Sequence, residues 1–127
     1  MRQLDAIDVV VDLTAVRGVG LRNVPSTLDV FDSHFPRFPV LPGVLVLASL
    51  VELARQVCAA EDPGGHWTLR RARRLQYRRF VRPGDQLELI VDLRERPAPG
   101  SAVFTGEVRV DGALVTRARE LLLARAA

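Results

Sequence analysis

The chain has 127 residues, of which 48% are hydrophobic and 26% charged, and its net charge is +3. This length and composition are typical of one soluble globular domain and exclude an intrinsically disordered chain. The longest apolar stretch, residues 44–60, is interrupted by four polar residues, so we expect no membrane span. The N-terminus lacks the pattern of a signal peptide, and the single cysteine, Cys58, cannot form an internal disulfide. We therefore expect one domain over residues 1–127, located in the cytoplasm.

The first part of the chain predicts two strands. Residues 8–15 are rich in β-branched side chains, and residues 17–24 form a second strand or the approach to one. A short extended piece at residues 28–31 follows, and a loop with three prolines then occupies residues 36–42. These elements lead into a segment with a strong helical pattern.

One long helix is predicted to begin near Gly43, because Pro42 suits a first turn that needs no amide hydrogen. The run Asp-Pro-Gly-Gly at residues 62–65 is a stop signal, so the helix should end before it. Apolar residues cover most of the helix circumference. A helix of this kind is typically buried in a core.

The remainder of the chain is predicted to be extended. Strands are expected at residues 68–80, at 87–93 with alternating polarity, and at 102–110 and 113–123, which flank an Asp111-Gly112 hairpin turn. One buried helix with antiparallel strands is an α+β layout in which the sheet wraps around the helix. Such a sheet has open edges, and dimerisation is a common way to cover them.

Residues 31–45 read FDSHFPRFPVLPGVL, and residues 82–87 read RPGDQL. In order and spacing, these two segments resemble the signature of the bacterial 3-hydroxyacyl-(acyl carrier protein) dehydratases, which have the hot-dog fold. The resemblance covers roughly residues 17–123. It implies an enzyme of fatty acid or polyketide assembly whose substrate is carried on the phosphopantetheine of an acyl carrier protein, with no other cofactor.

The chemistry of dehydration fits the residues of the first motif. The reaction needs a base for the C2 proton, an acid for the departing hydroxyl, and a dipole at the thioester carbonyl. Histidine titrates near neutrality, so His34 is the candidate base, on a loop whose prolines are expected to make it rigid. Gly43, at a helix N-terminus, offers an amide with no side chain to block the carbonyl oxygen. The resemblance further implies an acyl tunnel beside the helix, with substrate-binding positions at Phe35, Pro42, Val44 and Ala48.

The sequence departs from the family where the acid should stand. The family has Glu or Asp on the helix fourteen residues after the histidine, and that position in this chain is Ala48. One hypothesis assigns the acid to Glu52, one helical turn further on the same face of the helix. The competing interpretation is a structural role for Glu52. Asp32 is a weaker candidate, as a residue that orients His34.

Two further hypotheses remain open at this stage. In a heterodimer, a second hot-dog subunit would supply the carboxylate to a site around His34; a homodimer is the simpler arrangement. Alternatively, the chain is an acyl thioesterase of the hot-dog fold, or a non-catalytic subunit that binds acyl groups or carrier protein. Metal binding is not expected, because two histidines and one cysteine show no ligand spacing, and His66 is interpreted as an ordinary loop residue.

All positive charge comes from arginine, and seven arginines lie between residues 70 and 82. Such a segment attracts an anionic partner. Nucleic acid is not expected, since few aromatic residues accompany it. Carrier proteins are acidic and their prosthetic arm carries a phosphate, which arginine binds well. The candidates for docking the carrier protein are Arg37, Arg73, Arg74, Arg78 and Arg79.

Overall fold

The computed structural model describes residues 7–24 and 43–126 of the chain. These residues form six strands and one helix. The elements are β1 (Val9–Leu13), β2 (Arg17–Asn23), α1 (Gly43–Glu61), β3 (Trp67–Tyr77), β4 (Gln86–Glu95), β5 (Ser101–Val110) and β6 (Ala113–Arg125). The predicted helix bounds are confirmed, and each of these strands overlaps a segment predicted to be extended.

The strands form one antiparallel sheet in the order β1-β2-β4-β5-β6-β3. Strand β3 therefore pairs with the last strand of the chain, and α1 lies in the connection between β2 and β3. The turn between β5 and β6 has positive φ at both Asp111 (50°) and Gly112 (79°), as a two-residue primed hairpin requires. The predicted α+β layout is confirmed.

Glycines allow α1 to approach the sheet closely. A methyl group added to Gly18 of β2 would lie 2.9 Å from Val57 Cγ2 and 3.0 Å from Leu53 Cδ1. On β5, a methyl group at Gly106 would lie 3.1 Å from Leu50 Cδ1. A Cβ at either position would force these helix side chains to shift, so the two glycines allow the present close packing of helix on sheet.

The helix is long and apolar enough to cross a membrane by length and composition, with a mean hydropathy of 1.6. In this fold it packs on the sheet instead and forms the centre of the hydrophobic core. Its buried residues are Val46, Ser49, Leu50, Val51, Leu53, Ala54, Val57 and Cys58. The expectation of a buried helix is confirmed for most of its length, while Val44 in the first turn is exposed.

Strands β1 and β3 form the two edges of the sheet. Strand β3 is irregular: its register with β6 shifts between Leu69 and Arg71, and Arg74 has a φ of 54°. A non-glycine residue in this left-handed region is uncommon within a strand. Both irregularities fall within the arginine-rich segment at this edge of the sheet.

Candidate functional site

The predicted site residues fall into two groups. His34, Phe35, Arg37 and Pro42 lie outside the described residues, so their roles remain predictions from the sequence. The described residues include Gly43, Val44, Ala48, Glu52, Arg73, Arg74, Arg78 and Arg79.

A cavity of about 370 Å³ lies at the N-terminus of α1. Apolar residues at its wall are unusually exposed: Val44 by 65%, Phe80 by 67% and Tyr77 by 48%. We call this space the N-terminal cavity. Its wall can accept an apolar group, and its lining residues are Gly43, Val44, Val46, Tyr77, Arg79, Phe80, Val81 and Thr116.

Gly43 is the first residue of α1 and lies against the ring of Tyr77. A methyl group added to its Cα would lie 2.7 Å from Tyr77 Cε1 and 2.9 Å from Cζ. The first amides of a helix have no acceptor within the helix and carry the positive end of its dipole. The absence of a side chain at Gly43 is therefore required for the tyrosine to pack there.

A buried cation lies beside the middle of the helix. Arg22 is only 2% exposed, and its Nη1 donates a hydrogen bond to Ser49 Oγ at 2.5 Å. Sequence reasoning missed this contact. The signal was present, because Gly18, Gly20 and Arg22 alternate along β2, so the arginine shares the face that meets α1.

The two positions considered for the acid, Ala48 and Glu52, lie one turn apart on α1. Ala48 is half-buried and precedes Ser49, the partner of Arg22. Glu52 lies in an ion pair with Arg55 at 3.5 Å. It lines a second cavity, of about 480 Å³, together with His66 and Trp67.

Gly43 and Glu52 consequently face different spaces. Nine residues of helix correspond to roughly 13 Å along the axis. Glu52 is absent from the lining of the N-terminal cavity, and Gly43 is absent from that of the second cavity. The described residues do not bring the predicted acid and the predicted carbonyl-binding amide to one cavity.

The arginines of β3 differ in their surroundings. Glu120 of β6 forms ion pairs with both Arg71, at 3.0 Å, and Arg73, at 3.7 Å, so the charge of Arg73 is partly offset. Arg74 is exposed in its left-handed conformation. Arg79 lines both the N-terminal cavity and a third cavity of about 510 Å³ that includes Phe80, so it lies where the two open side by side.

Metal-binding side chains do not cluster in residues 7–24 and 43–126, where no group of three or more His, Cys, Asp or Glu residues is placed to hold an ion. His66 lines the second cavity next to Trp67.

Comparison with known proteins gives consistent results. The model of the ApeI-like family, described as ApeI dehydratase, matches residues 18–114, which include both sequence motifs. A 3-hydroxyacyl-[acyl-carrier-protein] dehydratase FabZ of Shewanella woodyi is 37% identical over 94% of this chain and 80% of its own length. The FabZ of Agrobacterium fabrum is also 37% identical, over 79% of this chain and 66% of its own length.

Solved structures confirm the hot-dog fold predicted from the sequence. The dehydratase heterocomplex ApeI:P from Xenorhabdus doucetiae contains a chain with a TM-score of 0.71 and 23% identity, covering 87% of this chain and 89% of that one. A hypothetical thioesterase with coenzyme A from Streptococcus pneumoniae has a TM-score of 0.73 at 11% identity, covering 93% and 84%. At these identities the two likenesses concern the fold alone.

Proposed function

This chain belongs to the ApeI-like dehydratase family, and we propose that it takes part in dehydrating 3-hydroxyacyl thioesters of acyl carrier protein during fatty acid or polyketide assembly. The observation that carries this proposal is the cavity at the first turn of α1. There Gly43 leaves a helix N-terminus facing a cavity with exposed apolar walls, within a chain that matches the family over residues 18–114.

In this proposal His34 removes the C2 proton of the substrate, and the electron pair moves onto the thioester carbonyl. The amide of Gly43, backed by the helix dipole, stabilises the negative charge that develops on the carbonyl oxygen. The C3–O bond then breaks, the double bond forms between C2 and C3, and the departing hydroxyl takes a proton to leave as water. The acyl chain lies against the walls of the N-terminal cavity, which include Val44; the resemblance adds Phe35, Pro42 and Ala48 to the substrate-binding set.

The proton for the departing hydroxyl needs a donor that Ala48 cannot supply. Glu52 remains one candidate, but its ion pair with Arg55 and its place in the second cavity favour a structural role. We infer that a partner subunit supplies the carboxylate, in a dimer of hot-dog subunits. The dehydratase heterocomplex ApeI:P, which this chain resembles in fold, supports such pairing between different subunits.

Carrier-protein docking is proposed for the N-terminal cavity together with the arginine-rich strand β3, whose last residue lines that cavity. Arg79 lines this cavity, so its guanidinium is available to a phosphate at the entrance. Arg37, Arg74 and Arg78 would attract the acidic carrier protein, and Arg73 would contribute less because of Glu120. The reaction as proposed uses no cofactor beyond the phosphopantetheine of the substrate, and its setting is the cytoplasm.

The direct test incubates the purified chain with 3-hydroxyacyl carrier protein and measures formation of the 2-enoyl thioester and of free acid. The chain is assayed alone and together with a hot-dog subunit from the same organism that carries the helix carboxylate. We expect dehydration that is strongest in the mixture. Hydrolysis without dehydration would instead identify a thioesterase, and binding without either reaction would identify a non-catalytic subunit.

The source of the acid is tested in the same assay with Glu52→Gln. A loss of about 100-fold, in the range attributed to general acids, would assign the acid to Glu52. Retained activity in the mixture would assign it to the partner. Gln56→Glu, which adds a carboxyl to the same cavity, is the matched control for altered charge there.

A further inference from the structure

Tyr77 is brought to the N-terminus of α1 by the sheet rather than by its neighbours in sequence. It is the last residue of β3 and pairs with Thr116 of β6, and both residues line the N-terminal cavity. The closest ring atoms to the position of a methyl group on Gly43 are Cε1 and Cζ. Since Cζ carries the phenolic oxygen, the hydroxyl end of the ring lies beside the first turn of the helix.

The Tyr77 hydroxyl can donate a hydrogen bond to a ligand, because the residue is partly exposed and its phenol is protonated. The side chain is 48% exposed, so a ligand in the cavity can reach it. Burial of the rest of the side chain raises the pKa of Tyr77 above its ordinary value of 10.0, so the phenol retains its proton at neutral pH. A protonated phenol donates one hydrogen bond, as an amide does.

We propose that the Tyr77 hydroxyl and the Gly43 amide together donate hydrogen bonds to the thioester carbonyl oxygen of the substrate. This inference rests on the proposed function and adds a second donor to its carbonyl site. When the C2 proton leaves, negative charge accumulates on that oxygen, and two converging donors stabilise it more than one does. The tyrosine keeps its own proton throughout: it binds the enolate oxygen, and the water that leaves takes its proton from the separate acid.

The test uses Tyr77→Phe, which retains the ring against Gly43 and removes only the hydroxyl. Loss of one such donor is expected to lower kcat by roughly 100-fold. Because the interaction strengthens as charge develops, kcat and kcat/KM should fall together. Thr68→Val, at the other end of the same strand, is the control for removing a hydroxyl from β3.

A spectroscopic measurement separates hydrogen bonding from a structural effect. The probe is an isotope-labelled 3-hydroxyacyl pantetheine thioester with two methyl groups in place of the C2 hydrogens, so that it binds without reacting. Its infrared carbonyl stretch should lie at a lower frequency on the wild-type protein than on Tyr77→Phe. Equal frequencies, or wild-type kcat in Tyr77→Phe, would overturn the inference.

The same measurements distinguish failure of the role proposed for Tyr77 from failure of the proposed dehydratase function. If the wild-type chain dehydrates its substrate and Tyr77→Phe does so at the same rate, the role of Tyr77 is wrong and the proposed function stands. If the wild-type chain neither dehydrates the substrate nor binds the probe, alone or with the partner, the proposed function itself fails.

Discussion

Arg22 and Ser49 form a hydrogen bond between β2 and α1, with the guanidinium Nη1 2.5 Å from the serine Oγ and both residues almost fully buried. A buried cation is costly unless polar atoms surround it. Ser49 also donates to the carbonyl oxygen of Leu45 at 3.5 Å, so the serine hydroxyl joins the arginine to the first half of the helix. The contact fixes the helix next to Ala48, the position where the family carries its acid.

Replacing Ser49 by alanine should destabilise the protein. The substitution removes one acceptor from a buried guanidinium, and hydrogen bonds to charged groups contribute about 1.5–3 kcal/mol. We expect the free energy of unfolding, measured by urea denaturation, to fall by about that amount. Thr105→Val is the matched control, because Arg94 donates to Thr105 in an exposed pair and its loss should cost less than about 1 kcal/mol. Equal losses in the free energy of unfolding for the two substitutions would contradict the prediction that the buried hydrogen bond contributes more than the exposed one.

The stability of the protein should decrease at alkaline pH because of Cys58. Burial raises the pKa of this thiol from 9.0 to about 11, with a smaller opposing effect of Arg96. Below pH 9 the thiol is protonated in both the folded and unfolded states. Between pH 9 and about 11 the unfolded chain loses the proton first, so the free energy of unfolding should fall by up to roughly 2–3 kcal/mol.

This dependence can be measured cleanly because the chain has no lysine and one tyrosine. The measurement is urea denaturation at several pH values from 8 to 11. Cys58→Ala should reduce the slope of the free energy of unfolding against pH. Tyr77→Phe is measured as well, because it removes the only phenol, whose pKa is also raised by burial. An unchanged slope in Cys58→Ala would contradict the assignment.

Charge reversal at Arg79 should weaken binding of the acyl carrier protein. Arg79→Glu replaces an attractive charge at the N-terminal cavity by a repulsive one, and we expect at least a tenfold rise in Kd at low salt, with a weaker salt dependence. Arg119→Glu makes the same change in net charge beside a different cavity, lined by Ile90 and Asp92. The comparison uses calorimetric titration with acyl carrier protein. Equal losses for both variants would indicate an effect of net charge and not a docking site.

Restoring the family carboxylate should make the chain less dependent on a partner. Ala48 is half-buried on α1, so Ala48→Glu places a carboxyl at the position where the resemblance expects the family's acid. We expect dehydration by the chain alone to rise by about 100-fold, within the range of a general acid. Ala48→Gln has nearly the same size but no proton to donate, and should show no rise. A rise in both variants would point to packing instead of acid catalysis.

The sequence predicts much of this fold because several of its signals are local. Pro42 and the Asp-Pro-Gly-Gly run mark the ends of the helix, and Asp111-Gly112 marks the hairpin, through backbone preferences of the residues themselves. The contact of Tyr77 with Gly43 depends on β3 joining the sheet beside β6, a pairing between distant segments that no local pattern specifies. Burial of Arg22 was missed because charged residues are usually exposed, although the alternation along β2 carries the signal.

If the chain works as a dehydratase subunit with His34 as the base, removal of the imidazole should abolish dehydration in a mixture that has no other catalytic histidine. The rate of 2-enoyl thioester formation from 3-hydroxyacyl carrier protein is compared for the wild-type chain and His34→Ala, each mixed with a carboxylate-bearing hot-dog subunit whose own histidine has been replaced. We expect dehydration by the wild-type mixture and a loss of at least 100-fold in His34→Ala. Equal rates for the two mixtures would contradict it.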